Sequence, residues 1–244
     1  MTIIEKILNS PVITYPWNHQ IIDNTFNKND IEKINSAAKL LFQKYSEDNL
    51  LKVNESNSIY LAQSKSIIGN EVYNIIYNLN EILLDNIKLL LSLYPQSRKF
   101  NRYVSTPVFQ ILLPNSSYMI HDESVHKSMS IVTYLYPTNG IGTLLYTGEN
   151  KESFVKEVEW KPNRSMIFCG ELQKTWHSFH TNEYPRITLN FFIRQNNFIT
   201  LNDNGEYFEY EDVNGKTMQL LKTSPIAKDV ELIFQGNLTR IMEF

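Results

Sequence analysis

The spacing of hydrophobic residues changes near Pro95. Before it, apolar residues recur every three or four positions over Asp30–Tyr45 and again over Asn70–Tyr94, which predicts two amphipathic helices. Gly69 precedes the second helix and Pro95 follows it, as start and stop signals do. The polar stretch Val53–Ser66 between them predicts a loop with a short strand.

After Pro95 the period becomes two, and short runs rich in β-branched and aromatic residues follow one another. Turn residues, such as those of Lys161-Pro162-Asn163, separate the runs. The runs are Pro107–Leu113, Tyr118–Glu123, Ser128–Tyr136, Thr143–Tyr146, Phe154–Trp160, Ser165–Cys169, Thr175–His180 and Arg186–Arg194. About eight short strands at this spacing predict a mainly β protein with a jelly-roll or cupin-like core. The helices that precede the strands are expected to pack on one face of a sheet.

The 244 residues predict a single domain in three parts. Residues 1–99 form a helical support, residues 100–195 form the jelly-roll core, and residues 196–244 form a C-terminal extension. In the extension, Asp203-Asn-Gly and Val213-Asn-Gly are turn signals, which predict a hairpin and an amphipathic segment around Met218–Leu221.

Composition excludes several classes of function. The chain has 26 Asp and Glu residues and 23 Lys and Arg residues, so its net charge is −3. This charge gives no basis for nonspecific binding to nucleic acid or anionic lipid. Cys169 is the only cysteine, which rules out an intramolecular disulfide and a Cys-rich zinc site. No apolar run approaches the length of a membrane span, and no signal-peptide pattern is present. We therefore expect a cytoplasmic protein, monomeric or homodimeric, with no nucleic-acid or membrane partner.

Two segments carry candidate metal ligands. His121 and Glu123 are two residues apart, so a strand would present both side chains on one face, and His177 follows on a later strand. Two imidazoles and one carboxylate form a facial triad that favours non-haem Fe(II) and leaves coordination positions open. Asp122 and His180 are the alternatives, but by parity each points away from the face that Glu123 or His177 shares.

A candidate anion site follows the second histidine. Arg186 lies nine residues after His177, and Thr188 is two residues farther along the same strand face. A guanidinium and a hydroxyl buried in a barrel need an anion to offset their desolvation, and a dicarboxylate would supply one. Asn190 shares the parity of Arg186, and with Gln110 it is a candidate for contact with substrate.

In this combination the sequence resembles the Fe(II)/2-oxoglutarate-dependent oxygenases, in particular the prolyl-hydroxylase-like branch of bacteria and phages. The resemblance spans roughly Phe100 to Arg194. Its motifs are His121-Asp-Glu123, Tyr134-Leu135, Gly142-Thr143, His177 and Arg186-x-Thr188, in that order. One departure is glutamate at the first carboxylate, where the family more often has aspartate.

The resemblance implies a double-stranded β-helix and an Fe(II) ion held by His121, Glu123 and His177. It also implies that 2-oxoglutarate binds with its distal carboxylate on Arg186. Thr188 and Tyr134 would add hydroxyl donors to that carboxylate.

The expected activity is that of a 2-oxoglutarate-dependent dioxygenase, which consumes O2 and hydroxylates a C–H bond with release of succinate and CO2. A small metabolite or an amino-acid derivative is the expected substrate, and a prolyl, lysyl or asparaginyl side chain of a protein is the alternative. A cupin-like metal enzyme that does not use 2-oxoglutarate would have no need of Arg186. A jelly-roll binding module would have no turnover. Lys127 could steer an anionic substrate at the pocket mouth, although most single lysines are simply solvated.

Overall fold

The structure is a computed structural model. It describes residues 1–97, 102–123, 127–171 and 173–195. Beyond these it describes four short strands at residues 200–201, 207–211, 217–221 and 239–243, which are treated as backbone only.

Four helices belong to the first part of the chain. They are α1 (Ile3–Asn9), α2 (Lys28–Glu47), α3 (Leu61–Asp85) and α4 (Ile87–Ser92). Ten strands are described up to residue 195. They are β1 (His19–Ile22), β2 (Asn57–Tyr60), β3 (Arg102–Leu112), β4 (Ser117–His121), β5 (Lys127–Tyr136), β6 (Thr143–Tyr146), β7 (Phe154–Val158), β8 (Ser165–Phe168), β9 (His177–His180) and β10 (Arg186–Gln195).

The two long helices lie where the apolar period places them, but the second begins earlier than predicted. It also ends at Asp85, and the rest of the predicted helix is the separate α4. The stretch Val53–Ser66 forms β2 and then the first turns of α3, so the prediction of a loop there was only partly right. Gly69 lies inside α3 with a φ of 78°, a backbone conformation that glycine adopts without steric cost. It therefore kinks the helix instead of starting it.

Two short N-terminal elements, α1 and β1, are not predicted by the sequence pattern. In α1, the Thr2 side chain accepts a hydrogen bond from the backbone N–H of Glu5, and the Glu5 carboxylate accepts one from that of Thr2. Burial of Ile7 adds tertiary support. Strand β1 pairs with β8 at the sheet edge. Both elements are too short to show a period, so their contacts with the rest of the fold specify them.

Two antiparallel sheets form the jelly-roll core. The major sheet has the strand order β1-β8-β5-β10-β3, and β2 pairs with the far edge of β3. The minor sheet has the order β4-β9-β6-β7. Each of the eight predicted strands is present, and the largest difference is that β3 begins at Arg102.

Strand β10, at the centre of the major sheet, separates two environments. Ile187, Leu189, Phe191 and Ile193 are buried with the apolar faces of α2 and α3. Three residues of the opposite strand face, Arg186, Asn190 and Phe192, line a cavity between the two sheets. Pairing with β3 on one side and β5 on the other fixes the register of this alternation.

The C-terminal extension contains the predicted hairpin. Strand β12 (Tyr207–Glu211) pairs with β13 (Thr217–Leu221), while β11 (Thr200–Leu201) joins the other edge of β12. The segment Met218–Leu221 is therefore the second hairpin strand and does not follow the hairpin. The two Asn-Gly turn signals lie outside the described residues. Strand β14 (Thr239–Glu243) pairs with β3.

None of the helices that the structure describes is both long and apolar enough to cross a membrane.

The predicted turn at Asn163 joins the N-terminal segment to the sheets. Asn163 has a φ of 66°, in the left-handed region that asparagine tolerates. Its side-chain oxygen accepts a hydrogen bond from the backbone N–H of Phe26 at 2.8 Å, and its side-chain nitrogen donates to the Phe26 carbonyl at 2.9 Å. One buried amide thus satisfies both backbone groups of Phe26.

We expect Asn163→Ala to lower the free energy of unfolding by about 2–4 kcal/mol, because it removes both hydrogen bonds and places alanine at positive φ. Asn163→Gly loses the same bonds without the backbone strain, so it should be about 1 kcal/mol less destabilising than alanine. Urea unfolding of the three proteins measures both differences. Equal stability of the two variants would show that the backbone conformation contributes nothing.

Candidate functional site

Pairing of β4 with β9 brings the two predicted histidine ligands together. His121 and His177 are register partners, and their ring centroids are 4.2 Å apart. His180, three residues after His177 and so on the opposite strand face, pairs instead with Ser117 and is not among the residues that line the cavity. The geometry therefore favours His177 over His180.

The protonation of both imidazoles suits a metal ligand. Nδ1 of His121 lies 3.0 Å from the Met119 carbonyl oxygen, and Nδ1 of His177 lies 2.7 Å from that of Thr175. A carbonyl only accepts hydrogen bonds, so Nδ1 carries the proton and Nε2 retains its lone pair. Burial lowers the pKa of His121, and burial together with the neighbouring His121 lowers the pKa of His177 to about 3. Both rings are neutral at physiological pH.

The Glu123 carboxylate is buried and ionised. Its Oε1 accepts a hydrogen bond from the Ser130 hydroxyl at 2.8 Å, and its Oε2 lies 2.7 Å from Nζ of Lys127. Burial would raise the pKa of Glu123, but Lys127 and the two histidines outweigh it and hold that pKa at about 2. A negative charge therefore lies beside the imidazole pair.

Asp122 has a structural role. Its Oδ1 accepts a hydrogen bond from the backbone N–H of Thr175 at 3.2 Å, and the Thr175 hydroxyl and the Gln173 N–H bond to the same carboxylate. These contacts fix the turn that leads into His177. Both Asp122 and Glu123 follow the end of β4 and line the cavity, but the Asp122 carboxylate is bonded to this turn.

Lys127 lines the cavity, but it is not solvated. Only 17% of its side chain is exposed, and its ammonium is held by Glu123. Burial lowers the pKa of Lys127 while the ion pair opposes that shift. The main contact of Lys127 is therefore its ion pair with Glu123, which the expectation of a substrate-steering lysine did not include.

Arg186 lines the same cavity and is buried. Its Nη2 donates a hydrogen bond to the Thr143 hydroxyl at 3.2 Å, and its guanidinium carbon lies 4.3 Å from the Phe179 ring centroid. Burial lowers the pKa of Arg186 to about 10, so the group stays charged at physiological pH. In the part of the chain described, no carboxylate pairs with it, and its Nε has no hydrogen-bond partner.

Two predicted hydroxyl donors flank Arg186. The Tyr134 hydroxyl donates to the Thr143 oxygen at 2.8 Å, and the guanidinium carbon of Arg186 lies 5.4 Å from the Tyr134 ring centroid. The Thr188 hydroxyl is buried without a hydrogen-bond partner among the described residues. A buried cation beside an unsatisfied hydroxyl provides the donors that a small carboxylate needs.

The cavity lined by His121, Glu123, His177 and Arg186 has a volume of about 370 Å³. The two candidates for substrate contact meet within it, since the Asn190 side-chain amide donates to the side-chain oxygen of Gln110. The side-chain oxygen of Asn190 has no partner among the described residues. The lining residues include Gln110, Tyr118, His121, Glu123, Lys127, Thr143, His177, Phe179, Arg186, Asn190 and Phe192.

The donor set at one end of the cavity fits a divalent transition metal. Two neutral imidazoles with available Nε2 atoms and a buried carboxylate are the ligand types of a facial triad. Across the described ranges, however, no three His, Cys, Asp or Glu side chains form a ready metal-binding group. The Glu123 carboxylate also forms an ion pair with Lys127.

Two residues that orient predicted site residues were not themselves predicted as site residues. Thr143 accepts hydrogen bonds from both Tyr134 and Arg186, and Ser130 holds one oxygen of Glu123. Thr143 belongs to the Gly142-Thr143 motif, which was a usable signal. Ser130 carries no such signal, because its strand parity alone does not say which carboxylate it meets.

No protein family and no curated protein matches the sequence. The fold, by contrast, is similar to those of solved prolyl hydroxylases. The prolyl-4-hydroxylase of Pseudomonas putida is 10% identical with a TM-score of 0.52, over 80% of this chain and 97% of that one. The Trichoplax adhaerens prolyl hydroxylase, in complex with a hypoxia inducible factor oxygen degradation domain peptide fragment, is 13% identical with a TM-score of 0.52, over 80% and 88%. At these identities the similarity shows a shared fold.

We expect Glu123→Gln to lower the affinity for Fe(II) by at least about tenfold, because a neutral amide replaces the anionic ligand. Asp122→Asn should keep the affinity within a few-fold of the native value, because this side chain is bonded to the 173–175 turn. Anaerobic equilibrium dialysis with metal analysis measures both. The opposite order of the two affinities would assign the carboxylate ligand to Asp122.

Proposed function

We propose that this protein is an Fe(II)- and 2-oxoglutarate-dependent dioxygenase that hydroxylates its substrate and releases succinate and CO2. The observation that carries the proposal is the buried Arg186, which has no carboxylate partner among the described residues and shares a cavity with His121, His177 and Glu123. A fold similar to those of prolyl hydroxylases supports it. Bound iron would supply the activation of O2 that no side chain can perform.

The residues of this chain would bind and orient the reactants. His121, His177 and Glu123 would hold the metal at one end of the cavity. Arg186 would bind the distal carboxylate of 2-oxoglutarate, with Thr143 holding the guanidinium in place. The unpartnered Thr188 hydroxyl would add a hydrogen bond to that carboxylate, and Tyr134 would add one by turning its hydroxyl proton away from Thr143. The buried rings of Phe179 and Trp160 beside the guanidinium exclude water and strengthen its attraction for an anion.

The cavity supports a small substrate. A volume of about 370 Å³ is at the low end of the range for small-molecule sites, and it must also hold the cosubstrate. We therefore propose a small metabolite or an amino-acid derivative as substrate, in contact with the amides of Asn190 and Gln110. We also propose a cytoplasmic monomer or homodimer that engages neither nucleic acid nor membrane.

A prolyl, lysyl or asparaginyl side chain of a protein is the second candidate, because one similar fold is seen with a bound peptide. Succinate release with free amino acids, compared with release in the presence of short peptides of the same residues, separates the two. Turnover confined to the peptides would favour the second candidate.

We expect Arg186→Leu to lower the affinity for 2-oxoglutarate by about 10- to 100-fold, since it removes a charge-assisted contact. The measurement is an anaerobic titration of Fe(II)-loaded protein, followed by the weak visible band that accompanies chelation of iron by a 2-oxo acid. Arg186→Lys is the matched variant. It keeps the charge but not the planar pair of donors, so its affinity should be intermediate.

The same Arg186→Leu variant should unfold at no lower urea concentration than the native protein, because leucine replaces a buried cation that has no carboxylate partner among the described residues. Loss of 2-oxoglutarate affinity without loss of stability would distinguish a binding residue from a structural one. Unchanged affinity and activity would favour the cupin-like enzyme that does not use 2-oxoglutarate. If wild-type protein gives no band although iron binds, the 2-oxoglutarate proposal fails.

A further inference from the structure

The Lys127 ammonium forms an ion pair with Glu123, the carboxylate that would bind the metal. Nζ of Lys127 lies 2.7 Å from Oε2 of Glu123, and Oε1 of the same carboxylate accepts the Ser130 hydroxyl. Only 3% of the Glu123 side chain and 17% of the Lys127 side chain are exposed. The pair lines the same cavity as the two histidines.

The surrounding structure keeps Lys127 in this position. Its ammonium lies 3.9 Å from the ring centroid of Phe192, close enough for a cation–π contact. Its backbone begins β5 opposite Arg194 of β10, which fixes where the side chain leaves the sheet. At Gly170, a Cβ would come within 2.9 Å of the Lys127 carbonyl oxygen and 3.3 Å of the Glu123 Cβ. The lack of a side chain there lets the Lys127 and Glu123 segments pack together.

An ammonium and a divalent cation on one buried carboxylate repel each other strongly, because little water screens them. Each carboxylate oxygen has two lone pairs, so Ser130 and Lys127 do not fill the carboxylate. A metal ion held by His121, His177 and Glu123 would nevertheless lie close to the Lys127 ammonium, and the repulsion between the two cations is what opposes its binding.

We propose that Lys127 is a positioning residue that holds the Glu123 carboxylate in the metal-free protein and competes with the metal ion for it. The inference rests on the proposed function, since it takes Glu123 as a metal ligand. Metal binding then exchanges one ion pair for one coordination bond, and Nζ leaves Oε2 while Phe192 remains beside the lysine stem. Lys127 thus prevents an uncompensated buried charge when the site is empty, at the cost of weaker metal binding.

The test is the affinity of the whole chain for Co(II), measured anaerobically by calorimetry and by the visible absorption of the bound ion. Lys127→Met has a similar length and no charge. We expect it to bind Co(II) at least about tenfold more tightly than the native protein, because the competing cation is gone. A merely structural role predicts the opposite sign, since damage to the site weakens binding.

Two further variants serve as an intermediate case and a control for this measurement. Lys127→Gln can still donate an N–H to Oε2 without a charge, so its affinity should fall between the native protein and Lys127→Met. Lys33→Met is the matched control, because Lys33 forms a surface ion pair with Glu71 at 2.5 Å, outside the cavity. It should leave the Co(II) affinity unchanged.

The outcomes separate this inference from the proposed function. If the native protein binds Co(II) and neither Lys127 variant binds it more tightly, the competition is overturned and the proposed function stands. If only the Lys127 variants bind, the competition holds and the native chain is not a metal enzyme. If no protein in the set binds Co(II), both proposals fail.

Discussion

Strand β10 must satisfy two environments at once, and the rest of the structure depends on how it does so. Its odd-numbered residues from Ile187 to Ile193 are apolar and buried with the helices. Its even-numbered residues face the space between the sheets and include the buried Arg186 and Thr188. A slip of one residue in its pairing would exchange the two sets, burying charge in the apolar core. The helical layer and the polar cavity therefore require the same register.

The cavity concentrates charge that the described residues only partly balance. Glu123 and Lys127 neutralise each other beside two neutral imidazoles. The guanidinium of Arg186, in the same cavity, has aromatic rings and a hydroxyl around it but no described carboxylate. Burying such a cation is costly unless an anion pairs with it. The two charged groups thus differ, since Glu123 has a counter-charge among the described residues and Arg186 does not.

Hydroxyl groups give this site its geometry at little electrostatic cost. Thr143 joins Tyr134 to Arg186, Ser130 anchors Glu123, and Thr175 holds Asp122 beside the turn before His177. A hydroxyl can donate or accept, so it orients a charged neighbour without adding a charge of its own. Rigid placement of the charged groups therefore comes from neutral partners on adjacent strands.

The amino-acid sequence by itself determined the eight core strands, the two long helices and the grouping of His121, Glu123, His177 and Arg186. It could do so because the spacing of residues along a strand or a helix determines which of them lie on the same face. The short elements α1 and β1 were not predicted, because four to seven residues are too few to show a period. Strand β1 is specified instead by its pairing with β8. The contact of Lys127 with Glu123 and the role of Asp122 in the turn before His177 were decided only by the tertiary structure. Strand parity states which face a side chain occupies, whereas its partner depends on which strands pair, in which register, and on how far each side chain reaches.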